Sequence, residues 1–252
     1  MKILRNPTKI QRKERIRKMI FRLILFITVV LLMLGIILKS DYFKIDTIEV
    51  VGNKNLSKAD IIDSSKISKK ENIFKISKKI VKEEVEELPF VKEAKIKRKL
   101  PRTVIIDVIE REEKLLIKNI STYLVIDKEG YILKQVETND ENLPVLLGVK
   151  IDNIKLGENI FLNLKDDALI DLIEEGDKIF LLNSIKEMDL ELLDDIKIKL
   201  NNGIDIVFGN LDNVKYKLNL LNEILEHITE NEIKCSKIIM NKGSHPIIVT
   251  DD

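Results

Sequence analysis

The spacing of hydrophobic residues changes along the chain, and each change predicts a different kind of element. Residues 23–38 read LILFITVVLLMLGIIL, sixteen positions without a charge. A core helix of a folded domain rarely lacks a polar face over that length, so the pattern predicts a membrane-spanning helix over residues 20–38. Arg22 lies near one end of this span, where its side chain can reach the lipid headgroups.

The segment that follows gives strand and helix signals in the order β-α-α-β-β. A first strand ends at the turn Gly52-Asn53, and Ser57 opens a short helix as the first residue of a sequence that resembles a capping box. A second helix begins at about Ser77 and stops before Pro89. Two segments that alternate apolar and polar residues then predict paired, half-buried strands.

The next region predicts mostly antiparallel strands with two helices. Gly130 lies in the turn between two apolar strand segments, and the Asn202-Gly203 pair lies between two alternating segments; both arrangements are typical of β-hairpins. One helix is predicted from about residue 164 to 175, and Asp212 is the predicted N-cap of the other. The sequence therefore predicts an α+β protein made of a basic tail (1–19), a transmembrane helix (20–38), a first domain (43–111), a β domain (112–230) and C-terminal strands (231–252).

Composition and charge decide the class of protein and its orientation. Of 252 residues, 44% are hydrophobic, which excludes a disordered chain. The net charge of +1 conceals nine Lys or Arg and one Glu in residues 1–22, before a remainder with 34 basic and 41 acidic residues. Positive flanks stay in the cytoplasm, so the N-terminus is predicted inside and everything after the span outside.

Two alternative interpretations of the N-terminal segment are less well supported. A cleaved signal peptide needs a small-x-small cleavage site, which residues 38–41 (Leu-Lys-Ser-Asp) do not offer. The basic tail could indicate nucleic-acid binding, but it adjoins a membrane span, so membrane lipid is the expected partner and nucleic acid is not.

A single cysteine, Cys235, excludes an internal disulfide.

The sequence offers no set of residues typical of an enzyme. Only two histidines occur: His227 is predicted in the last turn of the final helix and His245 in a polar turn. Neither adjoins a G-x-S-x-G motif, and no H-E-x-x-H or C-x-x-C spacing exists. Paired carboxylates such as Glu83-Glu84 and Asp166-Asp167 have lysines nearby, as solvated surfaces do. We therefore predict no catalytic residue, cofactor or metal.

Six motifs, in order after the predicted span, resemble one family. They are Phe43 to Asn53 (F-x-I-x-x-I-x-V-x-G-N), Leu88 to Ala94, Leu100 to Glu112, Tyr123 to Gly130, Leu143 to Gly148 and Gly203 to Gly209. Together they resemble the bacterial cell-division proteins of the FtsQ/DivIB family over roughly residues 15–230. The chain differs from the family pattern at Lys237 to Lys242, where the family commonly carries aspartate and arginine on a strand.

The resemblance implies a fold, a function and partners. The first domain would be a POTRA domain and the second the family's β domain. The protein would be a non-enzymatic divisome scaffold at the septum that binds FtsB (DivIC) and FtsL-type bitopic proteins, associates with divisome peptidoglycan synthases and helps to control septal peptidoglycan synthesis.

The partner-binding residues are predicted on the last strands, because little sequence remains after them to cover a sheet edge. They are Lys237, Ile238, Ile239, Met240, Ile247, Ile248 and Val249. A partner that adds a strand there would tolerate alanine but not proline. Ile239→Pro or Ile248→Pro is thus expected to weaken binding while residues 43–111 stay folded.

Other functional classes stay open at this point. A POTRA-bearing envelope chaperone or adaptor not dedicated to division is the main alternative, although an outer-membrane barrel would need more than the roughly 140 residues that follow the first domain. An anchored enzyme with an unrecognised site is another. An anchored sensor would need a folded cytoplasmic part in place of a short tail. A midcell ring of a tagged copy would favour the division role.

Overall fold

The computed structural model describes residues 9–140, 142–151, 154–164, 167–242 and 245–250. The chain divides into two compact units. One is formed by Met1–Asn53, Ser57–Val85 and Ala94–Val108, and the other by Lys54–Leu56, Glu86–Glu93 and Ile109–Asp252.

The first helix, α1, is longer than the predicted span. It runs from Lys9 to Lys39, and its segment Arg15–Ile37 is long and apolar enough to cross a membrane. The predicted basic tail is helical from Lys9 onwards, and its boundary with the span at residue 19 stays a prediction. Lys and Arg are good helix formers, so the change from apolar to basic residues does not end the helix. Residues 1–8 lie outside the described residues.

The β-α-α-β-β order predicted for residues 43–111 is confirmed. The elements are β1 (Thr47–Val51), α2 (Lys58–Ser64), α3 (Lys78–Glu86), β2 (Val91–Lys99) and β3 (Thr103–Glu110). The sheet order is β1-β3-β2, and β1 runs parallel to β3. Ser57 caps α2 as predicted, since its Oγ accepts a hydrogen bond from the Asp60 N–H at 3.1 Å.

A nine-stranded sheet forms the centre of the second unit, in the order β12-β11-β10-β9-β8-β7-β4-β5-β6. The strands are β4 (Leu115–Asn119), β5 (Thr122–Ile126), β6 (Ile132–Val136), β7 (Val145–Leu147), β8 (Ile185–Asp189), β9 (Ile196–Leu200), β10 (Asp205–Gly209), β11 (Cys235–Ile239) and β12 (Ile247–Thr250). The helices are α4 (Phe161–Leu164), α5 (Asp167–Lys178) and α6 (Val214–Glu230). Most neighbouring strands are antiparallel, as predicted, and both hairpins form where the glycines indicated.

The core of the second unit lies on one face of this sheet. The buried side chains of α5 and α6, among them Leu172, Ile173 and Leu221, belong to the same cluster as the buried residues of β8 to β11. In register across those four strands lie Met188, Ile198, Ile206 and Ile238, all at most 2% exposed. Burial of this row under the helices leaves the neighbouring residues of each strand on the opposite face.

Two predictions about α5 and α6 need correction. The helix predicted from about residue 164 is α5, which starts at Asp167; residues 165–166 lie outside the described residues. Asp212 is not the N-cap of α6, since Asn213 takes that position with φ 53° and no side-chain capping bond. The Asp212 carboxylate instead accepts a hydrogen bond from Asn210 Nδ2 at 2.6 Å, so it stabilises the loop that precedes the helix.

Candidate partner-binding edge

The structure brings the two predicted partner-binding segments together at one end of the large sheet. Lys237 to Ile239 lie in β11 and Met240 follows it, whereas Ile247 to Val249 lie in β12. β11 and β12 pair antiparallel, with Ile238 opposite Ile248 and Ile239 opposite Ile247. The predicted residues thus form one continuous strand pair.

Only one of the two strands is an edge. β11 lies between β10, to which it is parallel, and β12. Ile238 is 0% exposed, and the Met240 N–H donates to the Val207 carbonyl at 2.9 Å. The expectation that Lys237 to Met240 form an uncovered edge is therefore wrong, because the last strand folds back and covers them. Ile239→Pro would break an internal ladder and is unsuitable as a test of binding.

The edge strand β12 presents apolar side chains to solvent. Ile247, Ile248 and Val249 are 47%, 38% and 38% exposed. No further strand pairs with β12 in the part of the chain that the structure describes. Native edge strands usually carry Lys, Pro or a covering loop that prevents unwanted pairing. β12 carries no Lys or Pro and is suited to strand addition by a partner.

The opposite edge of the same sheet is protected. β6 is covered at its start by a loop, since the Ile132 N–H donates to the Glu158 carbonyl at 3.0 Å and the Gly157 N–H donates to the Ile132 carbonyl at 2.8 Å. Farther along, Lys134 lies on the strand and its Nζ is 2.8 Å from Glu113. The contrast between the two edges favours β12 as the docking edge.

The sheet face opposite the helices becomes apolar towards β12. One row across β8 to β11 alternates in charge, with Glu187, Lys199, Asp205 and Lys237 in register. The next row changes from charged to apolar towards the edge, in the order Asp189, Lys197, Val207, Ile239 and Ile247. A segment that docks on β12 would thus meet an apolar strip beside the edge and a mixed-charge surface beyond it.

Lys217 supports this end of the sheet from beneath β10, a role that the sequence did not reveal. Its Nζ donates to the carbonyl and the side-chain oxygen of Asn210 at 2.8 and 2.7 Å and lies 5.2 Å from the centroid of the Phe208 ring. Burial lowers the pKa of Lys217 from its ordinary value, although Asp212 acts in the opposite direction. The contacts fix the loop between β10 and α6.

A buried charge network holds the β5–β6 hairpin. Arg111 Nη1 lies 2.6 Å from Asp127 Oδ2 and 2.9 Å from Glu129 Oε2, and Arg111 Cζ lies 3.4 Å from the Tyr131 ring centroid. Asp127 Oδ1 accepts hydrogen bonds from the backbone N–H groups of Glu129 and Tyr131 at 3.0 and 2.8 Å. Lys92 also bonds to Glu129. The network joins residues that the sequence placed in separate motifs.

The electrostatics of this network point to a structural role. Burial acts to lower the pKa of Arg111, but the hydrogen bonds and charges of Asp127 and Glu129 outweigh it and raise the pKa. Burial acts to raise the pKa of Glu129, but Lys92 and Arg111 outweigh it and lower the pKa. Both groups are therefore held in their charged forms, which is the opposite of what proton transfer near neutral pH requires.

The residues with catalytic or metal-binding potential lie apart. His227 lies in the last turn of α6 as predicted, with its Nδ1 3.0 Å from Asn231 Nδ2. Cys235 starts β11, where its Sγ lies 3.6 Å from the Lys237 carbonyl oxygen. Among the described residues, no group of three or more His, Cys, Asp or Glu side chains is placed to hold a metal ion. The absence of catalysis, cofactor and metal stays a prediction.

Comparisons with known proteins cover nearly all of the folded part. A family model for the FtsQ-type POTRA domain matches residues 43–111, and one for the C-terminal part of cell division protein FtsQ/DivIB matches residues 115–239. The second match ends at the last residue of β11, before β12.

Several relatives match over most of their length. Cell division protein DivIB of Clostridium botulinum (strain Hall) is 34% identical over 242 residues, which cover 94% of this chain and 92% of the relative. Cell division protein FtsQ of Syntrophotalea carbinolica is 29% identical over 193 residues, 75% of this chain and 67% of the relative. A solved structure, the major extracytoplasmic domain of the trans isomer of DivIB from Geobacillus stearothermophilus, aligns with 48% of this chain and 97% of its own, at 18% identity and a TM-score of 0.32.

Proposed function

This chain belongs to the FtsQ/DivIB family of bacterial cell-division proteins, and from that premise we propose that it is a non-enzymatic, bitopic scaffold of the divisome. It binds FtsB (DivIC) and FtsL-type partners, associates with septal peptidoglycan synthases and helps to control their activity at the septum. The observation that supports this proposal is the exposed, uncharged edge strand β12 on a sheet whose other edge is protected.

Binding proceeds by addition of a partner strand to β12. The free edge offers backbone N–H and C=O groups, which supply affinity without regard to side chains. Ile247 and Val249 share the outer sheet face with Ile239 and Lys237, their partners in β11. These four side chains then contribute selectivity, because they contact the side chains of an added strand and of whatever follows it.

Proline substitutions in β12 test the proposal. Successive N–H groups of an edge strand point alternately towards the neighbouring strand and outwards, so one of Ile248→Pro and Val249→Pro removes an outward donor and leaves the pairing with β11 intact. We expect that variant to lose at least about tenfold in affinity for a DivIC-type partner, whereas Ile248→Ala and Val249→Ala change affinity little. The measurement is binding of the full-length, detergent-solubilised chain to that partner.

Hydrogen exchange of β8 to β10 in each variant reports whether the second unit has stayed folded. Native affinity in both folded proline variants would contradict the proposal and place the interface elsewhere, most directly on the first unit. Loss of affinity in the alanine variants alone would indicate recognition by side chains and not by strand addition.

We further propose that the N-terminus lies in the cytoplasm and that residues 40–252 lie outside. The transmembrane helix ends near residue 38, the first domain covers residues 43–111, and the β domain begins at residue 112. The support for the orientation is the excess of Lys and Arg before the span. The pairing of β11 with β10 and of β12 with β11 supports counting these two strands with the β domain.

Protease added to intact spheroplasts should therefore digest the exported residues 40–252 and leave a short membrane-embedded fragment that contains α1. If the chain is cut only after lysis, the orientation is the reverse of the one proposed. An epitope placed before residue 9 serves as the control, since it should survive in intact spheroplasts and disappear after lysis.

A further inference from the structure

The C-terminal end of α1 is tied to a loop of the first unit. Asn72, a buried side chain, donates from Nδ2 to the Ile37 carbonyl at 3.0 Å and accepts the Phe74 N–H on Oδ1 at 2.9 Å. The last carbonyls of a helix have no partner within it, and Asn72 satisfies one of them. The Ile73 N–H donates to the Phe43 carbonyl at 2.9 Å. We call residues 40–45 and 69–75 the collar.

The position of the collar follows from these bonds. Ile37 is the last residue of the apolar segment that can span a membrane, and Ser40 alone separates α1 from the 3-10 helix Asp41–Phe43. Phe74 is two residues from Asn72 and hence at most about 7 Å away along the chain. The headgroup region is roughly 5–8 Å thick on each side of the hydrocarbon core. The collar is thus at headgroup depth if α1 spans the bilayer.

The side chains of the collar suit that depth. Tyr42 and Phe74 are exposed, and Phe43 lies between them with ring centroids 5.1 and 5.2 Å away. Aromatic rings of this kind concentrate at the boundary between acyl chains and headgroups. Lys69, Lys70 and Lys75 are exposed, and no ion pair in the described ranges uses them. Lysines near a bilayer surface attract anionic headgroups.

We propose that the collar is a second membrane contact, in which Tyr42 and Phe74 insert at the headgroup boundary and Lys69, Lys70 and Lys75 bind phosphate groups of the same leaflet. The proposal rests on α1 being a membrane span. It means that the first unit is held against the bilayer by α1 and the collar together. The collar contacts the phospholipid surface. Because the first part of the collar follows directly on α1 in the chain, this surface is the one that a membrane-spanning α1 always brings next to it.

Tryptophan fluorescence tests the contact, since the chain has no Trp of its own. Phe74→Trp and, independently, Tyr42→Trp are made in the full-length chain and reconstituted in phosphatidylglycerol vesicles. We expect lipids brominated close to the ester groups to quench roughly half of the emission or more, and lipids brominated near the chain ends to quench less. Asn72→Ala in the Phe74→Trp chain should reduce the quenching, because it releases the loop from Ile37.

Two control positions separate the possible failures. Leu31→Trp, in the middle of α1, should be quenched most by bromine near the chain ends, and its failure to be quenched would overturn the span itself. Val51→Trp, exposed at the far end of β1, should not be quenched. If Leu31→Trp is quenched and neither Phe74→Trp nor Tyr42→Trp is, the collar proposal alone is overturned. Equal quenching at Val51 and Phe74 would overturn it too.

Discussion

Replacing Asp127 by Ala is expected to destabilise the second unit by about 3–5 kcal/mol, because it leaves a buried guanidinium without its main partner. The side chains of Arg111 and Asp127 are only 9% and 5% exposed. The variant also removes the acceptor of the Glu129 and Tyr131 backbone N–H groups. Hydrogen exchange of β5 and β6 in the full-length, detergent-solubilised chain measures the loss.

Matched variants separate the parts of this loss. Asp127→Asn keeps an acceptor for the two backbone N–H groups but places an NH2 donor where Oδ2 accepts from Arg111. A loss close to that of Asp127→Ala would therefore identify the bond to Arg111 as the main contribution. Glu129→Gln changes a more exposed partner of the same guanidinium, at 32% exposure, and should cost roughly 1 kcal/mol or less. If Glu129→Gln proves as destabilising as Asp127→Ala, the buried pair is not what holds the hairpin.

Elements set by neighbouring residues could be predicted from the sequence. The cap at Ser57 and the hairpins at Gly130 and Gly203 depend on signals within a few residues, and all three form as expected. The order of strands and helices in residues 43–111 follows from the same local patterns. These features required no knowledge of which strands become neighbours.

Features set by distant residues could not be predicted. β4 and β8 could not be predicted, because the connections to their antiparallel neighbours β5 and β9, residues 120–121 and 190–195, contain no Gly or Asn as a turn signal. Alternation of apolar and polar residues indicates that a segment is a strand but not which strands are its neighbours. The pairing of β12 with β11 could therefore not be predicted. The pairing of Arg111 with Asp127 likewise joins two motifs whose contact no spacing rule gives.

Two glycines show the same difference between features set by neighbouring residues and features set by distant ones. Gly148 and Gly203 both lie in the second unit with positive φ, 79° and 93°. The Asn202-Gly203 turn is the stronger signal in the sequence, yet a Cβ at Gly203 would meet nothing within 4 Å. A Cβ at Gly148 would lie 2.4 Å from the backbone nitrogen of Glu191. The close approach follows from the parallel pairing of β7 with β8, in which Leu147 lies opposite Asp189.

Gly148→Ala is therefore expected to cost about 2–5 kcal/mol, since about 1–2 kcal/mol of left-handed backbone strain adds to about 1–3 kcal/mol of overpacking against a backbone that cannot move cheaply. Gly203→Ala bears only the strain and should cost about 1–2 kcal/mol. Hydrogen exchange of β8 and β9 in the two full-length variants compares them within one unit. Equal losses would mean that the backbone near Glu191 yields to the added methyl group, and that β7 and β8 are less rigidly paired than their register indicates.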